Sequence, residues 1–306
     1  MGAYVNDFSD WTGDRTVHCI GTNSRSDQLP FQAWHHFKEA FAPELIKRAV
    51  DESQIPVRSC LDPFGGSGTT ALACQFLGVN PTTIEINPYL ADLIEAKLQS
   101  YDADALSKDF GTILARSRVA KPASEWRSCL PGTFIQPGHK DRWIFSKSAA
   151  DEILRIRAAI CMLKSEPHKR FFTIQLGGVL VTASNVRMSG KGRRYRSNWI
   201  DRESSGERVR SLFTNAVQTA IVETHQYSSR KTKRYRLIRG DARNAVSGIS
   251  GTDLVVFSPP YPNSFDYTDV YGTSAQVAEI GVKVVWVEFA GAFGLVGLTF
   301  AGISGS

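Results

Sequence analysis

A strand, a glycine turn, a helix, a second strand and a second helix follow one another within residues 57–98. This order constrains the fold more than any other feature of the 306-residue chain. Val57–Leu61 is short and mainly apolar and runs into Asp62-Pro63-Phe64-Gly65-Gly66-Ser67-Gly68. Thr69–Leu77 reads as a helix closed by Gly78, Thr82–Ile86 as a strand, and Asn87-Pro88 starts a helix over Tyr89–Leu98. Such a βαβ succession needs parallel strands with helices on the sheet faces, so the expected class is α/β. Glycines between strand and helix let the backbone approach a ligand, and the helix start offers free N–H groups to a carboxylate or phosphate. No Lys-Ser/Thr pair follows at P-loop spacing, and the glycines do not fit G-x-G-x-x-G. A purely structural turn is the competing reading.

Glu85 stands 23 positions after Asp62, at the end of the second strand. Nucleoside-binding α/β folds place an acid there to accept from ribose hydroxyls, whereas a lone surface charge would carry no function. The α/β pattern resumes late in the chain. Tyr235–Ile238 reads as a strand leading into Gly240-Asp241-Ala242, and Asp253–Phe257 as a strand ending in Ser258-Pro259-Pro260-Tyr261. Two prolines remove two backbone donors and stiffen the chain. A row of carbonyl acceptors, a small hydroxyl and an aromatic ring remain, which suit a planar heterocycle bearing an exocyclic amine. A proline-rich turn is the alternative.

The rest of the chain differs. Residues 1–30 are polar and read as an irregular N-terminal arm. Over Phe31–Val50 the apolar residues recur at three- and four-residue spacing, predicting an amphipathic helical region interrupted at Pro43. Ala149–Met162, Phe171–Ser184 and Val209–Val222 read as helices. Two basic clusters without acids lie among them, Arg187–Arg196 (RMSGKGRRYR) and Arg230–Arg236 (RKTKRYR). The net charge is +6, yet residues 101–235 hold 25 Lys and Arg against 12 Asp and Glu. This asymmetry points to a polyanionic partner for the middle of the chain, with a solvated basic face as the alternative. Five scattered cysteines without a C-x-x-C pair argue against a disulfide framework and a zinc finger and favour a reducing cytosol. No secretory signal is expected at the N-terminus. The longest uncharged apolar run, Phe289–Ile303, has 15 residues, short of a membrane span.

DPFGGSGTT at 62–70, IEINPY at 84–89, GDA at 240–242 and SPPY at 258–261 together resemble the DNA amino-methyltransferases. That family methylates N4 of cytosine or N6 of adenine with S-adenosyl-L-methionine. The longer run SPPYPNSFDYTDVY at 258–271 is similar to site-specific DNA methylases of prokaryotes. The resemblance implies a Rossmann-like methyltransferase sheet, incomplete at the C-terminus, carrying a largely helical basic insertion. It implies that Asp62, Phe64, Gly66 and Gly68 surround the methionine half of the cofactor and that Thr69 and Thr70 hold its carboxylate. Glu85 would bind the ribose and Asp241 the adenine. WHHFKEAFAPEL at 34–45 resembles the family's further cofactor-contacting segment, with Lys38, Phe41 and Pro43 as contacts, although ordinary core packing accounts for it equally well. His35 and His36 read as helix-face residues, and no metal set is expected.

For the reaction, the family resemblance gives Ser258 and the carbonyl of Pro259 as acceptors from the amine, with Pro260 stiffening the loop and Tyr261 stacked on the base. Favouring the pyramidal amine frees its lone pair for the methyl group, so catalysis would come from orientation and electrostatics. The base must leave the duplex, at a cost of a few kcal/mol. Carbon-5 cytosine methylation needs a cysteine after a proline, and no cysteine here follows one. Serine ahead of Pro-Pro-Tyr tilts the target toward N4 of cytosine. Arg193, Arg194, Tyr195 and Arg196, with Trp199 nearby, are the candidate contacts to double-stranded DNA. A cognate restriction endonuclease and a cytoplasmic, nucleoid-associated setting are further implications.

The expected organisation is an arm at 1–30, a cofactor-binding catalytic domain from 31–100 with 236–271, and a DNA-recognition insertion at 101–235. Residues 272–306 form an atypical apolar tail with seven glycines and three charged residues. The tail reads as a frameshifted or otherwise foreign C-terminus, with a native apolar sheet segment as the alternative. Two other functions compete: a truncated, inactive remnant that only binds DNA, and an RNA or protein amide methyltransferase.

Overall fold

In a computed structural model the described residues are 5–37, 39–121, 130–189, 192–200 and 205–259. In chain order the elements are α1 (Phe8–Thr12), α2 (Glu44–Asp51), β1 (Ser59–Asp62), α3 (Thr69–Leu77), β2 (Asn80–Glu85), α4 (Pro88–Leu98) and α5 (Ala103–Val119). There follow α6 (Lys147–Cys161), α7 (Glu166–Ala183), β3 (Val186–Ser189), β4 (Gly192–Tyr195), α8 (Gly206–Gln226), β5 (Arg236–Arg239), α9 (Ala242–Ala245) and β6 (Leu254–Val255). These fall into two units, residues 5–101 with 223–259, and residues 102–222.

The first unit is α/β. Its four strands run parallel in the order β5-β2-β1-β6, as a βαβ chain requires. Ser59 lies opposite Asn80 and Asp62 opposite Thr83, while Glu85 lies opposite Arg239 and Leu61 opposite Val255. α3 begins after Gly68 and ends at Gly78, and both glycines adopt left-handed φ values, +80° and +82°. Every residue of α3 from Thr69 to Phe76 is buried. α4 is capped by the Asn87 side chain, which accepts from the backbone N–H of Tyr89 and Leu90, with Pro88 in the first turn where no donor is needed.

The segment read as an arm contains α1, closed by reciprocal Asp7–Asp10 capping bonds. Trp11 of this turn is buried and stacks on Phe76 at 4.8 Å between ring centroids. The helical region expected over 31–50 is realised in part. Gln32–Trp34 is a single 3-10 turn, and the α-helix starts only at Glu44. The cause is Pro43, which disfavours helical backbone in the residue before it and is tolerated at a helix start.

The second unit packs α5, α6, α7 and most of α8 around Phe110, Phe172 and Phe213, whose rings lie 6.1–6.3 Å apart in pairs. Beyond the expected helices it holds an antiparallel hairpin, β3–β4, formed by the first basic cluster. Among the described residues no helix is long and apolar enough to cross a membrane.

Candidate active site

Three of the motifs, and Ser258 and Pro259 of the fourth, sit at or beyond the C-terminal ends of four adjacent parallel strands, where open α/β sheets hold ligands. β1 ends at Asp62, β2 at Glu85, β5 just before Gly240-Asp241, and β6 three residues before Ser258. β6 lies directly beside β1, and the Val256 N–H donates to the Leu61 carbonyl at 3.1 Å. The two loops beyond these strands meet: the half-exposed rings of Phe64 and Phe257 lie 5.6 Å apart. Sequence reasoning expects the two loops to meet but does not single out Phe257, which it reads only as the last residue of a strand.

The glycine loop is closely fitted. The Gly65 N–H donates to the Ile84 carbonyl at 2.9 Å, and the Gly68 N–H returns to the Gly65 carbonyl at 2.8 Å. A Cβ on Gly65 would overlap the Thr83 methyl and stand 2.8 Å from Ile94 Cδ1. Gly66 has φ +52°, and a Cβ there would lie 3.3 Å from the Phe37 ring. These constraints leave the rim of the loop as bare backbone, and the first-turn N–H groups of α3 have no helical carbonyl ahead of them.

Glu85 closes the loop from the neighbouring strand. Its carboxylate accepts from the Gly66 N–H and the Asn87 N–H, both at 2.7 Å. Burial pushes its carboxyl up to about 7, against the hydrogen bonds from Asn87 and Gly66. Asp62 accepts from the Phe64 N–H at 3.0 Å, and burial raises it to about 6, opposed by the Thr70 hydroxyl and the Phe64 N–H. Burial disfavours the ionised form of both carboxyl groups, and added hydrogen-bond donors at these strand ends would favour it. Ile86, next to Glu85, leaves 54% of its surface exposed, an apolar neighbour for a ligand held there.

Under the loop lies a buried lysine that sequence reasoning missed. Lys97 of α4 is 1% exposed and donates to the Ser67 carbonyl at 2.8 Å and to Gln32 Oε1 at 2.9 Å. Gln32 Nε2 donates in turn to Thr69 Oγ1 at 3.2 Å. Burial lowers Lys97 to about 7, with the Glu223 carboxylate opposing the shift. Glu223 accepts from the Phe31 N–H at 2.8 Å and Trp34 Nε1 at 2.7 Å. In sequence Lys97 looks like a solvated charge near a helix C-terminus.

The family model described as DNA methylase, N6_N4_Mtase, matches residues 9–96. Type II methyltransferase M.BsoBI of Geobacillus stearothermophilus is 24% identical over 269 residues, covering 81% of this chain and 52% of that protein. Type II methyltransferase M.AvaI of Nostoc sp. is 23% identical over 273 residues, covering 83% and 55%. Type II methyltransferase M.XycI of Xanthomonas campestris pv. cyanopsidis is 39% identical over 105 residues, covering 32% and 34%. The chain is similar to DNA methylases over residues 9–96 and, at lower identity, to Type II methyltransferases over most of its length. It spans about half the length of the longer-matching relatives, 52% and 55%.

Within the parallel sheet, Asp62, Phe64, Gly66, Gly68, Thr69, Thr70 and Glu85 gather around one loop. Asp241 shares the strand-end rim, but its carboxylate caps α9 and pairs with Arg243 at 2.5 Å, which holds it below the usual carboxylate range. Ser258 and Pro259 follow β6, whereas Lys38, Pro260, Tyr261 and the tail lie outside the described residues. His35 is buried, with Nδ1 3.2 Å from the Tyr89 hydroxyl, and burial lowers it to about 3. Among the described residues no group of three or more His, Cys, Asp or Glu could hold a metal ion. A cavity of about 960 Å³ opens in the second unit between Ser146, Asp151, Glu152, Arg155, Gly206 and Arg210, and none of the candidate site residues lines it. Arg193, Arg194, Tyr195 and Arg196 belong to the β3–β4 hairpin and its exit.

Proposed function

We propose that the chain is a site-specific DNA methyltransferase acting on the exocyclic amine of a flipped base, with N4 of cytosine favoured over N6 of adenine. The observation that carries this reading is the adjacency of β1 and β6, which brings the glycine loop and the start of the Ser-Pro-Pro-Tyr segment to one edge, with Phe64 against Phe257. The donor fitting this edge is S-adenosyl-L-methionine, which supplies an electrophilic methyl group when bound.

The chain's own groups divide the work. Gly66 and Gly68 keep the backbone open, the α3 start with Thr69 and Thr70 receives a carboxylate, and Asp62 answers an ammonium. Glu85 accepts from ribose hydroxyls, and Ile86 with Asp241 borders the adenine. Lys38 is a further contact from the preceding segment. On the other side, Ser258 and the Pro259 carbonyl accept from the target amine and orient its lone pair, while Pro260 and Tyr261 stiffen and stack. The basic region at 101–235 supplies contacts to double-stranded DNA, which offset the cost of base flipping without specifying sequence. A partner restriction endonuclease and a cytoplasmic setting accord with this role.

The test is methyl transfer from labelled S-adenosyl-L-methionine to duplex DNA, followed by nucleoside analysis. Label in N4-methylcytosine is expected, and label in N6-methyladenine would move the target. Label in RNA or protein alone, or DNA binding without transfer, would replace this reading by the amide-methylase or remnant alternative.

A further inference from the structure

The first basic cluster folds as a hairpin whose register sorts its arginines into two sets. Arg187 pairs with Arg194 directly across the strands, while Val186 pairs with Tyr195 and Met188 with Arg193. Opposed residues in an antiparallel pair share a face, so Arg187 and Arg194 lie on one side and the other two pairs on the opposite side. Val186 is fully buried, which identifies its side as the inner one. There Tyr195 packs on Trp199 at 5.0 Å, and Trp199 on Trp143 at 4.9 Å. Arg187 and Arg194 are both exposed.

Backbone bonds hold the hairpin's base. The Asn185 N–H donates to the Ile144 carbonyl at 2.8 Å, and the Arg196 N–H to the Asn185 carbonyl at 3.0 Å. Arg196 turns back to the protein, with Nη2 donating to the Val181 carbonyl at 3.4 Å. Two like charges directly opposed on a ladder destabilise it. No acid occurs in 187–196, and among the described residues neither Arg187 nor Arg194 forms an ion pair that would relieve the repulsion. A protein that keeps this cost on a fixed, outward surface has a use for an anion between the two guanidinium groups, whose planar forks match phosphate oxygens.

We propose that Arg187 and Arg194 form one phosphate-binding clamp that holds a single backbone phosphate of duplex DNA. The clamp takes only the identity of the polyanion from the methyltransferase reading. It also divides the cluster: Arg187 and Arg194 grip the ligand, whereas Arg196 supports the hairpin.

Fluorescence anisotropy with a labelled DNA duplex, over a range of salt, tests the clamp on the full chain and on Arg187→Gln, Arg194→Gln, the double variant and Arg196→Gln. Because one phosphate is shared, each single variant is expected to lose roughly tenfold in affinity. The double variant should lose little more than either single. The salt slope should fall by about 0.9, the value for one phosphate contact. The melting temperature of Arg194→Gln without DNA is expected to stay level or rise as repulsion is relieved, while that of Arg196→Gln falls. Wild-type-like affinity and slope in both single variants, in a chain that binds duplex, would overturn the clamp and leave the methyltransferase reading standing. Additive losses, or a lower melting temperature for Arg194→Gln, would also reject it. A wild-type chain that ignores duplex but binds single-stranded RNA would overturn both readings.

Discussion

Lys97 donates from its buried Nζ to the Ser67 carbonyl at 2.8 Å, so a lysine on α4 holds the underside of the loop whose upper rim is bare glycine backbone. The same nitrogen holds Gln32, which reaches Thr69 at the start of α3. Loop, helix start and the 3-10 turn at Gln32–Trp34 are therefore tied through one buried amine. Lys97→Met removes it and leaves Ser67 and Gln32 with unmet acceptors. A stability loss of about 1–3 kcal/mol is expected in denaturant unfolding. Cofactor affinity should fall by calorimetry under conditions where the variant is folded, and an unchanged affinity would show that the loop keeps its shape without the lysine.

Glu85 makes stability depend on pH. Its carboxyl is raised from 4.5 to about 7, so the folded protein holds this proton more tightly than the unfolded chain does. The resulting stabilisation is fully present below about pH 4.5 and is lost as pH rises through about 7. Glu85→Gln removes this dependence. Relative to wild type, the variant should gain stability between pH 5 and pH 8, by at most about 3 kcal/mol. Urea unfolding across that range checks the sign, and a constant gap between the two proteins would contradict it.

Cofactor binding should show the opposite preference. Under the proposed assignment, ribose hydroxyls and an ammonium would favour ionised Glu85 and Asp62, whose carboxyls burial raises to about 7 and about 6. Binding is therefore expected to release protons and to tighten as pH rises from 6 to 8. Calorimetry in buffers of different ionisation enthalpy measures the release directly, and proton uptake would reverse the assignment.

Gly65→Ala tests the fit of the loop against β2 and α4. The added methyl collides with Thr83 and Ile94, neither of which has room to withdraw. Overpacking of this kind costs about 1–3 kcal/mol, and a lower melting temperature should accompany weaker cofactor binding. A wild-type melting temperature would show that the loop moves freely.

Tyr261→Ala separates the two loops chemically. It should cut methyl transfer to DNA by roughly 100-fold or more through lost orientation of the base. Cofactor affinity should stay near wild type. An equal fall in cofactor affinity would mean that the division between a donor loop and a base loop is wrong.

The sequence alone carried the parallel α/β class, because the apolar runs, Gly68, Gly78 and Asn87-Pro88 are local signals that fix where strands end and helices start. It also showed Glu85 one strand away from the glycine turn, since that spacing belongs to a βαβ unit. The tertiary structure decided what depends on strand order and burial. Pairing β6 with β1 set Phe257 against Phe64 across 193 positions of chain, which no local pattern encodes. Burial distinguished Lys97 from an ordinary surface lysine, strand register gave Arg194 its opposed partner Arg187, and the turn of the chain after β4 brought Arg196 back to the Val181 carbonyl. Composition records how many charges a segment holds, but which of them face water and which face one another is set by packing.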